Sequence, residues 1–234
     1  ARRQRQMCIR DSLNVPDWYF LNGSNKNGMG YREVNWSLPR ERQILLARQN
    51  MYDGTWEKNP SMGWMFVPLV EYHGGGEAAT LEPLSEHLEA YGAHLAQNLG
   101  WGVQACYRGP RLYDTKQTKA VVREWISFYK SHRAILESDV IHLRRADGCD
   151  LDGIVHVNPQ LTTCALIMVF NPLETEVVRT WKIPLYYAGI EHRARVSERG
   201  GSQVIYSLNR VYEIELEMRV PARGVNWYAV EDVT

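Results

Sequence analysis

Three stretches of this 234-residue chain gather residue types suited to a polyhydroxylated ligand. The first runs from Asp17, Trp18 and Tyr19 through Asn22, Asn25, Arg32, Glu33, Asn35 and Trp36. The second is Glu71, Tyr72 and His73, ahead of three glycines. The third holds Arg108, Arg111, Tyr113 and Asp114. Carboxylates, amides and guanidinium groups bind hydroxyls, and aromatic rings offer a flat apolar face to a sugar ring. Plainer uses compete for the same residues. Asp17 follows Pro16 and could cap a turn, Glu33 could pair with Arg32 or Arg40, and His73 stands apart from other metal-type residues. Glu86, His87 and His94 fall on a helix and read as a solvated face, and Trp125 reads as core.

Two motifs invite other chemistry and fail. YHGGG resembles the oxyanion loop of esterases, but the chain has no G-x-S-x-G elbow to supply a nucleophile. The same glycines lack the strand–GxGxxG–helix layout of a dinucleotide site.

The elements that would position these stretches alternate between strand and helix. LNVPDWYF is a short apolar run. SLPRERQILLARQNMY then reads as a helix, with Ser37 at the N-cap, Pro39 in the tolerant first turn, and Ile44, Leu45, Arg48 and Met51 at helical spacing. WMFVPLV is a continuous apolar run, expected of a strand covered on both faces. A second helix carries Leu84, Leu88, Tyr91, Leu95 and Leu99 as one stripe. VQACY is a further strand, and a third helix places Val121, Val122, Trp125, Phe128, Tyr129, His132 and Leu136 on its apolar face. Three β-loop-α units are the repeat of a parallel α/β fold, in which loops at the carboxyl ends of strands carry function. After RRADGCDLDG the pattern changes. IVHVN, CALIMVF, EVVRTWKIPLYY, ARVS, VIYSL, YEIELEMRV and NWYAVED read as short strands between NP, GG and ARG turns, which suggests an antiparallel β-sandwich.

Composition sets bounds around this reading. Hydrophobic residues at 44% and charged residues at 23% are ordinary for a globular protein. No basic face points to nucleic acid, and no apolar run approaches the roughly 18 residues that span a bilayer. Cys106, Cys149 and Cys164 are widely spaced with no CxxC, so they read as incidental thiols and no metal is expected. Eight Trp and 13 Tyr supply flat rings with polar handles beyond what the core needs.

The first twelve residues stand outside this pattern. Arg2 to Asp11 back-translate without a mismatch to a transposase adapter used in short-read sequencing, so residues 1–12 are expected to be non-native. Without Arg2, Arg3, Arg5, Arg10 and Asp11, the 27 basic and 27 acidic residues fall to 23 and 26, a net charge of about −3. Native sequence then starts near Leu13, and a first strand at residues 13–20 would present an open sheet edge.

ERQILLARQN, then PSMGWMFVPL, then WISFYKSHRAILESDVIHLRR ahead of a β-domain, resembles the end of the α-galactosidase and raffinose-synthase-like clan of glycoside hydrolases. The resemblance implies the last three βα units of a truncated (β/α)8 barrel over residues 13–147 and a C-terminal β-sandwich over 148–234. It implies an Asp nucleophile after barrel strand four, outside this chain, and an acid/base carboxylate just before the helix that begins at Pro39. Glu33 is the only carboxylate in YREVNWS there, a departure from the clan's Asp pair. Glu33 is therefore the candidate acid/base, with Asp17 in reserve. Trp18, Tyr19, Asn22, Arg32, Trp36, Glu71, Tyr72, His73 and Arg108 are the candidate sugar contacts. No cofactor is implied, the partner is a carbohydrate substrate, and a periplasmic or extracellular location is favoured. The missing Asp pair leaves a second reading open, a carbohydrate-binding protein on a degenerate barrel. On either reading the isolated chain is expected to aggregate or to keep only its sandwich folded.

Overall fold

The computed structural model describes residues 40–57, 65–66, 83–102, 106–107 and 111–233. The chain divides into two compact units between Ser131 and His132. It is a mixed α/β protein: helices come first, followed by a six-stranded antiparallel sheet and a separate two-stranded antiparallel sheet.

In the first unit, α1 (Arg40–Glu57) buries Leu45, Arg48 and Met51, three residues apart on one face. The expected cap at Ser37 and Pro39 lies outside the described residues. Strands β1 (Met65–Phe66) and β2 (Cys106–Tyr107) pair in parallel, Met65 with Cys106 and Phe66 with Tyr107, inside the two runs read as strands of a parallel sheet. A 3-10 turn at Leu84–His87 leads into α2 (Leu88–Gly100), and Leu84, Tyr91, Leu95 and Leu99 of the expected stripe are buried. Gly102 ends this helix in the left-handed region at φ 70°, where its N–H reaches the Leu99 carbonyl. A side chain there would be strained, so glycine is the natural stop.

Helix α3 (Lys116–Leu136) starts from a reciprocal cap. Thr115 Oγ1 accepts the Thr118 N–H at 3.2 Å, and Thr118 Oγ1 accepts the Thr115 N–H at 3.0 Å. Threonine thus does what glutamate does in the usual capping box. Val122, Trp125, Phe128 and Leu136 of the expected apolar face are buried.

The second unit begins with the end of α3 and a strand absent from the sequence reading, β3 (Asp139–Arg144). It lies ahead of residue 148, where the resemblance starts the β-domain. Seven strands follow where the sequence placed them: β4 (Asp152–Val157), β5 (Thr163–Phe170), β6 (Val177–Pro184), β7 (Arg193–Glu198), β8 (Gln203–Ser207), β9 (Glu213–Val220) and β10 (Val225–Asp232). The LYY end of the third run is not strand; Tyr186–Ala188 closes into a 3-10 turn. The large sheet has the order β3-β4-β5-β10-β7-β8, and β6 pairs with β9 apart from it.

One face of the large sheet packs on the antiparallel β6–β9 pair. Val155, Ile167, Val169, Val196 and Tyr228 meet Ile183, Ile214, Leu216 and Met218 in a continuous apolar core. β9 alternates buried and exposed residues, as a strand with one wet face must. β4 and β5 do not alternate, because IVHV and CALIMVF are apolar or uncharged in both registers, and both faces are buried. On the second face the His132 ring lies edge-on to Trp227 at 4.8 Å. Cys164 is buried in β5, where burial pushes its thiol pKa up, and Cys149 is exposed in the β3–β4 loop.

Two buried asparagines tie loops to strands. Asn171 Nδ2 donates to the carbonyls of Thr175, Val220 and Pro221, and its Oδ1 accepts the Leu173 N–H. The FNPLE and PARGVN turns are thereby held together, helped by the Asn171 N–H on the Gly224 carbonyl. Asn171→Ala leaves three carbonyls without that donor and should cost about 2–3 kcal/mol in urea unfolding. A loss below about 0.5 kcal/mol would mean that water replaces the amide. Asn226 Nδ2 donates to Glu198, to the Arg219 carbonyl and to the Tyr228 hydroxyl, while its Oδ1 accepts from Arg199 Nε. Burial, reinforced by the Glu198 carboxylate, pushes the Tyr228 phenol up to about 12.

Candidate functional site

Glu33, Asp17, Trp18, Tyr19, Asn22, Arg32, Trp36, Glu71, Tyr72, His73 and Arg108 all lie outside the described residues. The described residues do show part of the frame around the third stretch. Parallel pairing of β1 and β2 makes the two chains leave the sheet at the same end, with Arg108 next in sequence after Tyr107. The far side of that connection is clamped to α2. Tyr91 donates its hydroxyl proton to the Leu112 carbonyl at 2.7 Å. Asp114 Oδ2 accepts from the Ser85 N–H at 2.9 Å and the Ser85 hydroxyl at 3.0 Å, and Oδ1 accepts from Thr118 Oγ1 at 2.9 Å.

This geometry gives Asp114 a structural role. Desolvation works to raise its pKa, but the hydrogen bonds from the Ser85 backbone, the Thr118 and Ser85 hydroxyls and its own N–H outweigh it and hold the carboxyl at about 2. A carboxyl that ionised has no proton to give near neutral pH. It is a clamp between the starts of two helices. Beside it, Tyr113 is 43% exposed, with the Lys119 ammonium 5.0 Å from its ring centre.

The sequence reading of Glu86, His87 and His94 as one wet face needs correction. Glu86 is exposed and His87 is half-buried, accepting from the Arg40 guanidinium at Nε2 (3.3 Å). His94 is buried, only 2% exposed. Other polar side chains of these two helices are buried as well, Arg48 of α1 and Gln97 and Asn98 of α2, a burial that the sequence reading did not foresee. Arg48 Nη1 lies 3.5 Å from Gln97 Oε1, and Asn98 Nδ2 donates to the His94 carbonyl at 2.8 Å. The Gln97 Nε2 and Trp101 Nε1 donors are buried there without a hydrogen-bond acceptor among the described residues. HLAQNLG carries no signal for this, because α2 is buried all round from His94 to Gly100 by elements distant in sequence.

Loss of hydration drives the His94 pKa down to about 3. In the unfolded chain the imidazole takes a proton near 6.5, so acid favours unfolding. The contribution is fully present above about pH 6.5 and is lost as pH falls toward the folded-state value. Between about pH 6.5 and 5 it should remove roughly 2 kcal/mol, and His94→Gln should flatten that slope. Proton NMR of the His94 ring checks the cause. No titration above about pH 5 is expected, and a midpoint near 6.5 would contradict the burial.

Among the described residues, no group of three His, Cys, Asp or Glu side chains could hold a metal, and no helix is long and apolar enough to cross a membrane.

No family model matches the chain, and no curated protein matches it in sequence. Solved structures do. A variant of the GH36 α-galactosidase AgaA from Geobacillus stearothermophilus, in complex with stachyose, aligns over 81% of this chain with a TM-score of 0.52 and 16% identity. The chain resembles part of a glycoside hydrolase. The galactosidase domain of the α-galactosidase–sucrose kinase AgaSK aligns over 81% at a TM-score of 0.51 and 18% identity. A variant of AmyP in complex with maltotriose aligns over 80% of this chain and 45% of its own, at 0.53 and 10%. This chain spans about a quarter of the two galactosidases, 24% and 25% of their lengths. At these identities the likeness is one of fold.

Proposed function

We propose that this chain is the C-terminal part of an enzyme that hydrolyses O-glycosidic bonds, with the last βα units of a (β/α)8 barrel ahead of a β-sandwich. One observation carries the reading. The chain has a parallel strand pair and helices followed by an antiparallel two-layer β-unit, and 81% of it aligns with an α-galactosidase. In a barrel of this kind the reacting groups sit at the carboxyl ends of the strands. Glu33 is the proposed acid/base and Asp17 its reserve. Trp18, Tyr19, Asn22, Arg32, Trp36, Glu71, Tyr72, His73 and Arg108 are the proposed sugar contacts, and the nucleophile comes from upstream sequence. Residues 1–12 are proposed to be adapter-derived.

The chemistry follows from two carboxyl groups. The protonated acid gives its proton to the leaving oxygen as the C–O bond breaks, the second carboxylate stabilises or captures the positive charge at the anomeric carbon, and water adds to that carbon while a carboxylate takes its proton. An indole beside the acid, from Trp18 or Trp36, would raise its pKa toward neutrality. The test is turnover of nitrophenyl α-galactoside and α-glucoside. The protein extended upstream should cleave at least one of them, and the chain alone should cleave neither. Saturable binding of raffinose by the extended protein without turnover would replace the enzyme by a carbohydrate-binding protein.

A further inference from the structure

The two edges of the six-stranded sheet are built differently. At one edge, β3 carries Asp139, His142 and Arg144, and its register with β4 shifts between His142 and Arg144. Charges and a bulge are the usual devices that stop an edge strand from pairing with another chain. The opposite edge, β8, has neither. Gln203, Val204, Ile205, Tyr206 and Ser207 include no charge and no proline, and they pair with β7 in unbroken register from Ser207–Arg193 to Gln203–Ser197. The turn ahead of the strand is tight: Arg199 and Gly200 both lie in the left-handed region (φ 47° and 70°), and the Gly201 N–H closes on the Glu198 carbonyl.

This edge also exposes apolar side chains on both sides. Val204 is 51% exposed on the side that faces the β6–β9 layer, and Ile205 is 53% exposed on the other. The pattern along β8 is symmetric about Ile205: polar, apolar, apolar, apolar, polar. Running a second β8 antiparallel across a two-fold axis at Ile205 sets Ile205 against Ile205, Val204 against Tyr206 and Gln203 against Ser207. Every pair then matches in polarity, and no like charges meet. A closed two-fold contact needs a self-complementary patch of this kind.

We propose that β8 is the pairing edge of a homodimer, joining two copies of this chain through antiparallel β8–β8 hydrogen bonds centred on Ile205. A second copy is favoured over a foreign strand because the symmetry lies in the strand itself. The proposal does not depend on the enzymatic reading.

The test is engineered-cysteine cross-linking of the full chain, with Cys8, Cys106 and Cys149 replaced by serine and only the buried Cys164 retained. Opposed residues in an antiparallel pair lie about 4.5–5.5 Å apart at Cα, within reach of a disulfide. Ile205→Cys should therefore cross-link to itself on mild oxidation. Gln203→Cys and Ser207→Cys should not do so separately, but a mixture of the two should form the mixed dimer. In sedimentation, Ile205→Lys should weaken association roughly tenfold or more, with an unchanged circular dichroism spectrum. A chain that stays monomeric overturns the proposal. So does a dimer in which Gln203→Cys links to itself as readily as Ile205→Cys, since the two-fold axis then does not lie at Ile205.

Discussion

Gly153→Ala should destabilise the β-unit by about 3 kcal/mol or more, a loss near the top of the range for overpacking. Gly153 sits in β4 between Val169 of β5 and Arg144 of β3, opposite the register shift in β3. A methyl group there would stand 2.5 Å from the Met168 carbonyl oxygen, 3.3 Å from the Trp181 ring and 3.4 Å from the Val169 Cα. Two of those three neighbours are backbone, so no rotamer change relieves the contact. β4 must move off β5 to clear the Met168 carbonyl, and the Trp181 ring must give by a few tenths of an ångström as well. Glycine inside a strand often marks a close approach of this kind. The change should appear as an earlier urea midpoint with little change in slope. Gly92 gives the opposite sign. Its added methyl meets only Val121 Cγ1, at 3.4 Å, and it lies inside α2, so Gly92→Ala should stabilise by about 0.5–1 kcal/mol. Equal effects at the two glycines would show that crowding does not explain Gly153.

How much was legible in the sequence depends on where the information lies. Strand alternation and turn residues are local, and the seven strands after residue 150 fall within a residue or two of their apolar runs, except that β6 ends three residues before its run does. β3 escaped because only Glu137 and Ser138 separate Leu136, the end of α3, from Asp139, and DVIHLR extends the helix-like run without a glycine or proline between them. The Ser138 N–H on the Ile135 carbonyl and the Ser138 hydroxyl on the Ala134 carbonyl finish that helix instead. The stripe of α2 was also legible, since its period is local. That His94, Gln97 and Asn98 would be buried beside it was not, because the covering elements come from elsewhere in the chain. Asp114 was legible as a polar loop residue but not as a clamp. Its partner Ser85 lies 29 positions away. The proposed catalytic and sugar-binding residues all fall outside the described residues, so that part of the reading stands on the resemblance and the fold likeness.

The second large effect concerns Glu33. A general acid contributes about 10²–10⁴-fold to turnover, and the contribution is largest when the leaving group most needs a proton. A sugar alkoxide is a poor leaving group and a nitrophenolate a good one. Glu33→Gln keeps the size and the hydrogen-bonding shape of the side chain but removes the proton that must move. The loss should therefore be unequal across substrates, which separates an acid/base from a residue that only positions sugar or supports folding. A positioning residue would affect both substrates alike. Asp17→Asn serves as the reserve, and the same inequality there instead would move the role to Asp17.

The most direct test is the ratio of kcat/KM for raffinose and for nitrophenyl α-galactoside, in wild type and Glu33→Gln of the protein extended upstream. The proposed role predicts a fall of about 10²–10⁴-fold on raffinose and a much smaller one on the aryl substrate. Wild-type rates for Glu33→Gln on both substrates would contradict it.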